Sequence, residues 1–273
     1  MKSNVIPGFG TTLGITLLYI GLVVLIPLSA LVIRAAGMGW DAFIMAAFSP
    51  RVLAAYRLSF FSALIAATAN LFLGLLVAWV LARYTFPGRR LVDAIVDLPF
   101  ALPTSVAGVA LTTLYATHGT MGALFGHLGI KVAYTPLGVI VAMAFIGLPF
   151  VVRTVQPVLQ DIDAEVEDAA ASLGATRFTT FRRVLLPIIL PALISGFAMA
   201  FARGLGEYGS VIFIAGNFPG VSEIAPLLIV TRLEQFDTAG ATAIAAVILA
   251  AAFIMLLTIN SLQKWHQRRF AAG

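Results

Sequence analysis

Long apolar runs dominate this chain, separated by short polar interruptions, and one interruption is unlike the others. The apolar runs cover residues 13–33, 58–81, 98–115, 136–152, 187 or 191 to 215, and 241–262. Runs of this kind are long enough to cross a bilayer core of ~30 Å as helices. The short alternating segments of a transmembrane β-barrel are absent. The pattern predicts an all-α membrane protein, a polytopic bundle of about six transmembrane helices. The first run is longer than the apolar core of a secretory signal, so it is read as a retained helix. Pro27 inside it is tolerable, because neighbouring helices can satisfy the freed backbone groups, and the fourth run is expected to kink near Pro149. The third run opens LPFALPTSVAG, where Pro99 and Pro103 should break or loosen the start of the helix. Residues 83–97 read as a compact loop turning at Pro87-Gly88, and 217–237 as an amphipathic excursion along the surface.

The exceptional interruption is 161–187, DIDAEVEDAAASLGATRFTTFRRVLLP, the one long polar segment. Good helix formers fill 165–173, and Gly174 follows as a residue suited to a helix C-terminus. Acids gather at its start (Asp161, Asp163, Glu165, Glu167, Asp168) and bases at its end (Arg177, Arg182, Arg183), an order that suits a helix dipole. A water-compatible helical hairpin between two spans predicts a partner outside the membrane. Small Ala169, Ala170 and Ala175 allow close approach, Leu173 offers an apolar knob, and Gly174 permits a sharp turn.

Composition supports the membrane reading and removes several chemistries. Of 273 residues, 60% are hydrophobic and 11% charged, against roughly a quarter charged in a globular domain; mean hydropathy is +1.01. With no cysteine, disulfides, thiolate metal sites and a cysteine nucleophile are excluded. The three lysines follow Met1, Ile130 and Gln263, so no Gly-Lys-Ser/Thr phosphate loop exists and any ATP energy must enter through a separate subunit. His118, His127 and His266 have no metal-ligand spacing. No catalytic residue, metal site or cofactor is therefore expected in this chain.

The net charge of +5 needs no nucleic acid to explain it, since membrane proteins concentrate Lys and Arg on their cytosolic side. An even number of spans puts both termini on one side with Arg83, Arg89, Arg90, Arg153, Arg177, Arg182 and Arg183. With Lys2, Lys264, Arg268 and Arg269 that side carries eleven bases. The other carries five, Arg34, Arg51, Arg57, Lys131 and Arg232. Both termini and the polar hairpin are thus expected in the cytosol. No disordered linker or internal repeat appears, which predicts a single domain over 1–273.

The hairpin also carries a resemblance. Asp168-Ala169-Ala170, three residues, Gly174, nine residues, Val184, one residue, and Leu186-Pro187 has the spacing of the EAA motif, E-A-A-x3-G-x9-I-x-L-P. Asp168 stands for the usual Glu and Val184 for the usual Ile. The segment resembles the cytosolic signature of permease subunits of binding-protein-dependent ABC importers. The stretches 83–89, 98–108, 149–159 and 203–217 are similar to the sulfate and molybdate branch, most like the T-type subunits of sulfate/thiosulfate importers.

The resemblance implies a type I ABC importer permease fold in the plasma (bacterial inner) membrane. It implies a coupling helix in a loop at about 160–186, docked in a groove of an ATPase subunit through Glu167, Asp168, Ala169, Ala170, Leu173, Gly174 and Ala175. The implied partners are a homologous second permease subunit, two ATPase subunits holding ATP-Mg, and an extracytoplasmic sulfate-binding protein, with membrane lipid around the spans. The implied activity is ATP-driven import of sulfate or thiosulfate by alternating access. Molybdate or tungstate is the alternative cargo, and a secondary transporter the alternative class. Secondary transporters favour midplane carboxylates, and Glu207 is the only acid well inside a span.

Arg203 and Glu207 are the main candidates for the translocation pathway. A mid-span Arg costs about 2.5–3.5 kcal/mol on insertion scales and usually faces the bundle interior. Four residues apart on a helix, the two share a face. A bundle-locking ion pair and a direct anion contact both remain open. Gly204, Gly206 and Gly209 around them suit close packing or a break. Thr104 and Ser105 either donate to an oxyanion or cap the helix after Pro103, with the cap favoured.

Overall fold

Three helices form the centre, and they meet through small residues. In the computed structural model, which describes residues 8–270, these are α3 (Pro50–Arg83), α7 (Pro136–Gln160) and α9 (Arg177–Leu205). Lys2 and Pro7 lie outside the described residues, and so do the side chains of Lys264, His266, Arg268 and Arg269. The inward face of α3 carries Ala63, Ala66, Ala67, Asn70, Gly74 and Ala78, and α9 presents Gly196, Ala200 and Gly204 at every fourth position. Between apolar helices in lipid there is little hydrophobic drive, so association rests on close backbone approach at such small residues. The spacing is tight: a Cβ on Gly74 would lie 2.8 Å from the Val151 side chain, and one on Gly147 2.5 Å from Asn70 Nδ2. Asn70 also spans the pair, Nδ2 donating to the Ala144 carbonyl at 3.0 Å.

The remaining helices dress this trio. The first span, α1 (Phe9–Ala36), buries only Ala35 and leans on the last one, α12 (Thr238–Phe270). Short α2 (Trp40–Ala47) lies between them. Residues 217–237, expected as a surface excursion, instead contribute α11 (Ala225–Glu234). Its Ala225, Leu227 and Leu228 are buried, and Ala225 and Leu228 cluster with Val52 and Ala55 of α3 and Ile244 of α12. Small helices α6 (Thr120–His127) and α10 (Val211–Ala215) fill the end of the bundle remote from the hairpin.

The third run is the main departure from expectation. Residues 89–97, read as loop, are helical: α4 (Arg89–Ala101) is followed by α5 (Thr104–Tyr115) at a bend of 114°. Leu102, ahead of Pro103, takes extended geometry (φ −82°, ψ 135°), as a residue before proline prefers. Among the described residues five helices are long and apolar enough to span, and the expected sixth is present if this bent pair counts as one. Helix ends also shift. α3 starts at Pro50, placing Arg57 inside the helix; α7 runs unbroken past Pro149 and Arg153 to Gln160; and α9 stops at Leu205 rather than 215. Each of α1 and α9 takes a π-helical turn, Gly21–Leu25 and Phe181–Leu185, just before a proline, Pro27 and Pro187. A proline lacks the N–H for the i→i−4 bond and crowds that carbonyl, and a widened turn absorbs both defects.

Candidate functional site

The polar segment folds where the sequence places it. α8 (Ala164–Ser172) is led by Asp163 and has Glu165 and Glu167 in its first turn. Its end is a Schellman motif: Gly174 takes φ +80°, its N–H donates to the Ala171 carbonyl at 2.9 Å, and the Ala175 N–H donates to Ala170 at 3.0 Å. Thr176 then caps the start of α9, its Oγ1 accepting from the Thr179 N–H at 3.3 Å. Two helices joined through four residues, Leu173 to Thr176, make a stiff corner. No residue of α8 is buried. Leu173 at the corner is 89% exposed, the knob the sequence expects, and Phe178, 71% exposed, stands as a second knob that the residue-by-residue reading missed. Asp168, Ala169 and Gly174 are exposed, with Ala170 and Ala175 partly covered.

Glu167 faces the other way. Its Oε1 lies 2.8 Å from Nη2 of Arg83, the last residue of α3. The Arg83 guanidinium sits over the Trp79 ring at 5.8 Å, and Trp79 meets Phe181 edge-on at 5.8 Å. Between α8 and the spans is a cavity of about 620 Å³ whose wall includes Trp79, Arg83, Glu167, Asp168 and Arg177. Among the expected docking residues, Glu167 therefore engages the bundle, and Asp168 borders the gap behind α8.

The pathway candidates converge at the opposite end of α9. Arg203 Nη1 pairs with Glu207 Oε2 at 2.5 Å. The other carboxylate oxygen, Oε1, accepts from the Ser210 N–H at 2.9 Å and from its Oγ at 3.0 Å. Glu207 is 1% exposed. The pair thus fixes the break between α9 and α10. Thr104 is brought to the same place: a Cβ on Gly209 would collide with Thr104 Oγ1, and one on Gly108 would lie 2.6 Å from the Ser210 carbonyl. The capping role expected of Thr104 and Ser105 does not hold. Pro103 occupies the cap position of α5 and no side chain caps it. Ser105 instead opens onto a shallow cavity of about 350 Å³ with Val106, Val109 and Ala110.

Two further ion clusters escaped the sequence reading because their partners are far apart in the chain. Arg153 of α7 holds α4 in place, with Nη1 2.7 Å from Asp93 Oδ1 and Nη2 2.6 Å from Asp97 Oδ2. Arg51, at the start of α3, grips the buried Glu223 ahead of α11 through Nε at 2.8 Å and Nη2 at 2.7 Å. Arg90 and Lys131, in contrast, form no ion pair among the described residues.

Comparison with known proteins places these features in context. The model of the family described as "binding-protein-dependent transport system inner membrane component" matches residues 70–272. The sulfate transport system permease protein CysT of Salmonella typhimurium is 51% identical over 266 residues, 97% of this chain and 96% of that protein. CysT of Synechocystis sp. is 50% identical over 254 residues, 93% and 89% respectively. Among solved structures, a bacterial ABC transporter involved in import of the acidic polysaccharide alginate aligns with a TM-score of 0.75 at 17% identity, over 93% of this chain and 94% of that one. The alginate transporter in complex with its alginate pentasaccharide-bound periplasmic protein aligns at 0.71 with 20% identity, over 92% of each chain.

Proposed function

The chain belongs to the family of binding-protein-dependent transport system inner membrane components, has the type I ABC importer permease fold, and is a multi-pass membrane protein; from that premise we propose that it is the permease subunit of an ATP-driven sulfate importer. The cargo follows from the near-full-length identity to sulfate permeases, with thiosulfate as the companion substrate. The observation that carries the mechanism is the projecting hairpin, rigid at its corner and bare at its tip, with Leu173 and Phe178 turned away from the spans.

In this reading the hairpin and both termini lie in the cytosol, and the tip docks on an ATPase subunit that binds ATP-Mg. A homologous second permease completes the pore, and an extracytoplasmic sulfate-binding protein delivers the anion. A chain without a phosphate loop needs that external motor. Closure of the ATPase pair draws the two hairpins together, and stiff corners pass the motion to α7 and α9 on either side. The spans then rock from inward-open to outward-open, receive the anion, and reset on hydrolysis. Passage demands weak contacts in the pore, favourable enough to enter and easy to leave.

The test is reconstitution of the chain with its ATPase, second permease and binding protein in vesicles. Sulfate uptake is expected only with ATP and binding protein present, competed by thiosulfate and not by molybdate. Leu173→Arg is expected to release the ATPase subunit. ATP-independent uptake, or a complex that survives this substitution, refutes the reading.

A further inference from the structure

The side of α8 that turns away from the docking tip has its own chemistry. Among the described residues, the Arg83–Glu167 pair is the one ion pair or hydrogen bond joining α8 to the spans. It bridges a cavity of about 620 Å³, so apart from the backbone connections to α7 and α9 it is the contact that ties α8 to α3 across that gap. The Nη2–Oε1 separation is 2.8 Å, yet neither Nη2 nor Nε of Arg83 makes an aligned hydrogen bond, although both atoms are buried. The contact is a single charge attraction rather than a bidentate fork. Behind it stands a continuous train: Arg83 on the Trp79 face, Trp79 on the Phe181 edge, and Phe181 opening the π-helical turn of α9. Cation–aromatic contact of this kind is strengthened by desolvation.

We infer that Arg83 is a positioning residue of the transport cycle, which through Glu167 and Trp79 carries the tilt of α8 into α3 and into the π-helical turn of α9. The inference rests on the permease reading above and adds to it a second route for the stroke, across the gap as well as along the backbone. On this view the acidic residue preceding Asp168-Ala169-Ala170 serves the permease's own bundle and does not touch the ATPase.

The experiment uses the full reconstituted complex, with Arg83→Glu, Glu167→Arg, the two together, and Arg83→Lys. Three quantities are read: ATPase subunit retained on purification, ATP hydrolysed, and sulfate moved per ATP. Each single swap is expected to keep the ATPase bound and hydrolysis within about twofold, and to lower sulfate per ATP at least fivefold. The double swap is expected to restore that ratio to within about twofold, and Arg83→Lys to preserve it. The absence of native cysteine permits a direct readout, spin labels at Thr85→Cys and Glu165→Cys. Their distance distribution should broaden in each single swap and narrow again in the double. Single swaps with an unchanged ratio and distance overturn the inference. So does any defect, in coupling or in assembly, that the double swap fails to repair. A wild-type complex that hydrolyses ATP without moving sulfate removes the cargo assignment, while the distance measurement still decides the role of Arg83.

Discussion

Truncating Arg203 should destabilise the protein more than neutralising Glu207. The two partners differ in burial: the Arg203 side chain is 35% exposed and that of Glu207 is 1% exposed. In Arg203→Ala the carboxylate stays buried with its countercharge gone. Breaking a fully buried pair by removing one partner costs about 3–5 kcal/mol. Here two hydrogen bonds from Ser210 still hold the carboxylate, so the expected loss is smaller, about 2–4 kcal/mol. In Glu207→Gln the amide oxygen can still accept from both Ser210 donors, and the guanidinium left without its countercharge is the less enclosed of the two groups. That change should cost only about 1 kcal/mol.

The double substitution leaves no buried charge and should cost less than Arg203→Ala alone, a coupling of about 1–2 kcal/mol within the range seen for contacting pairs. Reversible denaturant unfolding of the purified chain in lipid–detergent micelles measures all four corners of this cycle. A Glu207→Gln protein less stable than Arg203→Ala, or additive costs, would refute the locking role. A fully stable Arg203→Ala protein with impaired sulfate uptake would return Arg203 to the pathway.

Other consequences follow from the same geometry. Gly174→Ala puts a Cβ on a residue at φ +80°, where left-handed geometry costs about 1–2 kcal/mol; limited proteolysis should cut the hairpin faster and ATPase co-purification should weaken. Gly147→Leu drives a side chain into Asn70 and Ala200, and overpacking of about 1–3 kcal/mol should lower the amount of folded chain extracted from membranes; unchanged yield would mean that α3 and α7 separate more easily than described. Arg51→Ala strands Glu223, 2% exposed, and should destabilise by about 2–4 kcal/mol with faster hydrogen exchange across 217–224; Glu223→Gln in the same background should recover part of the loss.

Local signals were legible in the sequence and pairings between distant residues were not. The hairpin reads directly because its causes are local: acids before bases, alanines, then a glycine that only a left-handed corner requires. The break at Leu102-Pro103 is equally local, though the helical nature of 89–97 is hidden there. Its acids look like loop residues until Asp93 and Asp97 are seen to face Arg153, 56 or more positions away. The same reason hides Arg83. Next to an apparent loop it counts as a topology anchor, and only the fold brings Glu167 to it. Cα-level crowding explains why Gly74, Gly147 and Gly196 were not singled out: a glycine between apolar residues looks permissive until the facing backbone is known.

The distribution of ion pairs argues against reading every charge inside a span as part of the pore. An intramembrane charge is by default a functional candidate, and Arg203 with Glu207 fits that description in sequence. Yet most of the pairs fall at or beside helix ends. Arg153 with Asp93 and Asp97 pins α4 ahead of the bend, Arg203 with Glu207 closes the end of α9, Arg51 with Glu223 holds the segment before α11, and Arg232 with Asp237 ties the turn into α12. Broken helices leave backbone donors and acceptors without intrahelical partners, a state that hydrocarbon penalises. Charged side chains can satisfy those groups and fix the angle at once, as Glu207 does for the Ser210 N–H. A permease that must rock needs several breaks, so it needs several such clasps. Cations held in clasps are neutralised by their partners, so a charge inside a span is not by itself a sign of contact with cargo.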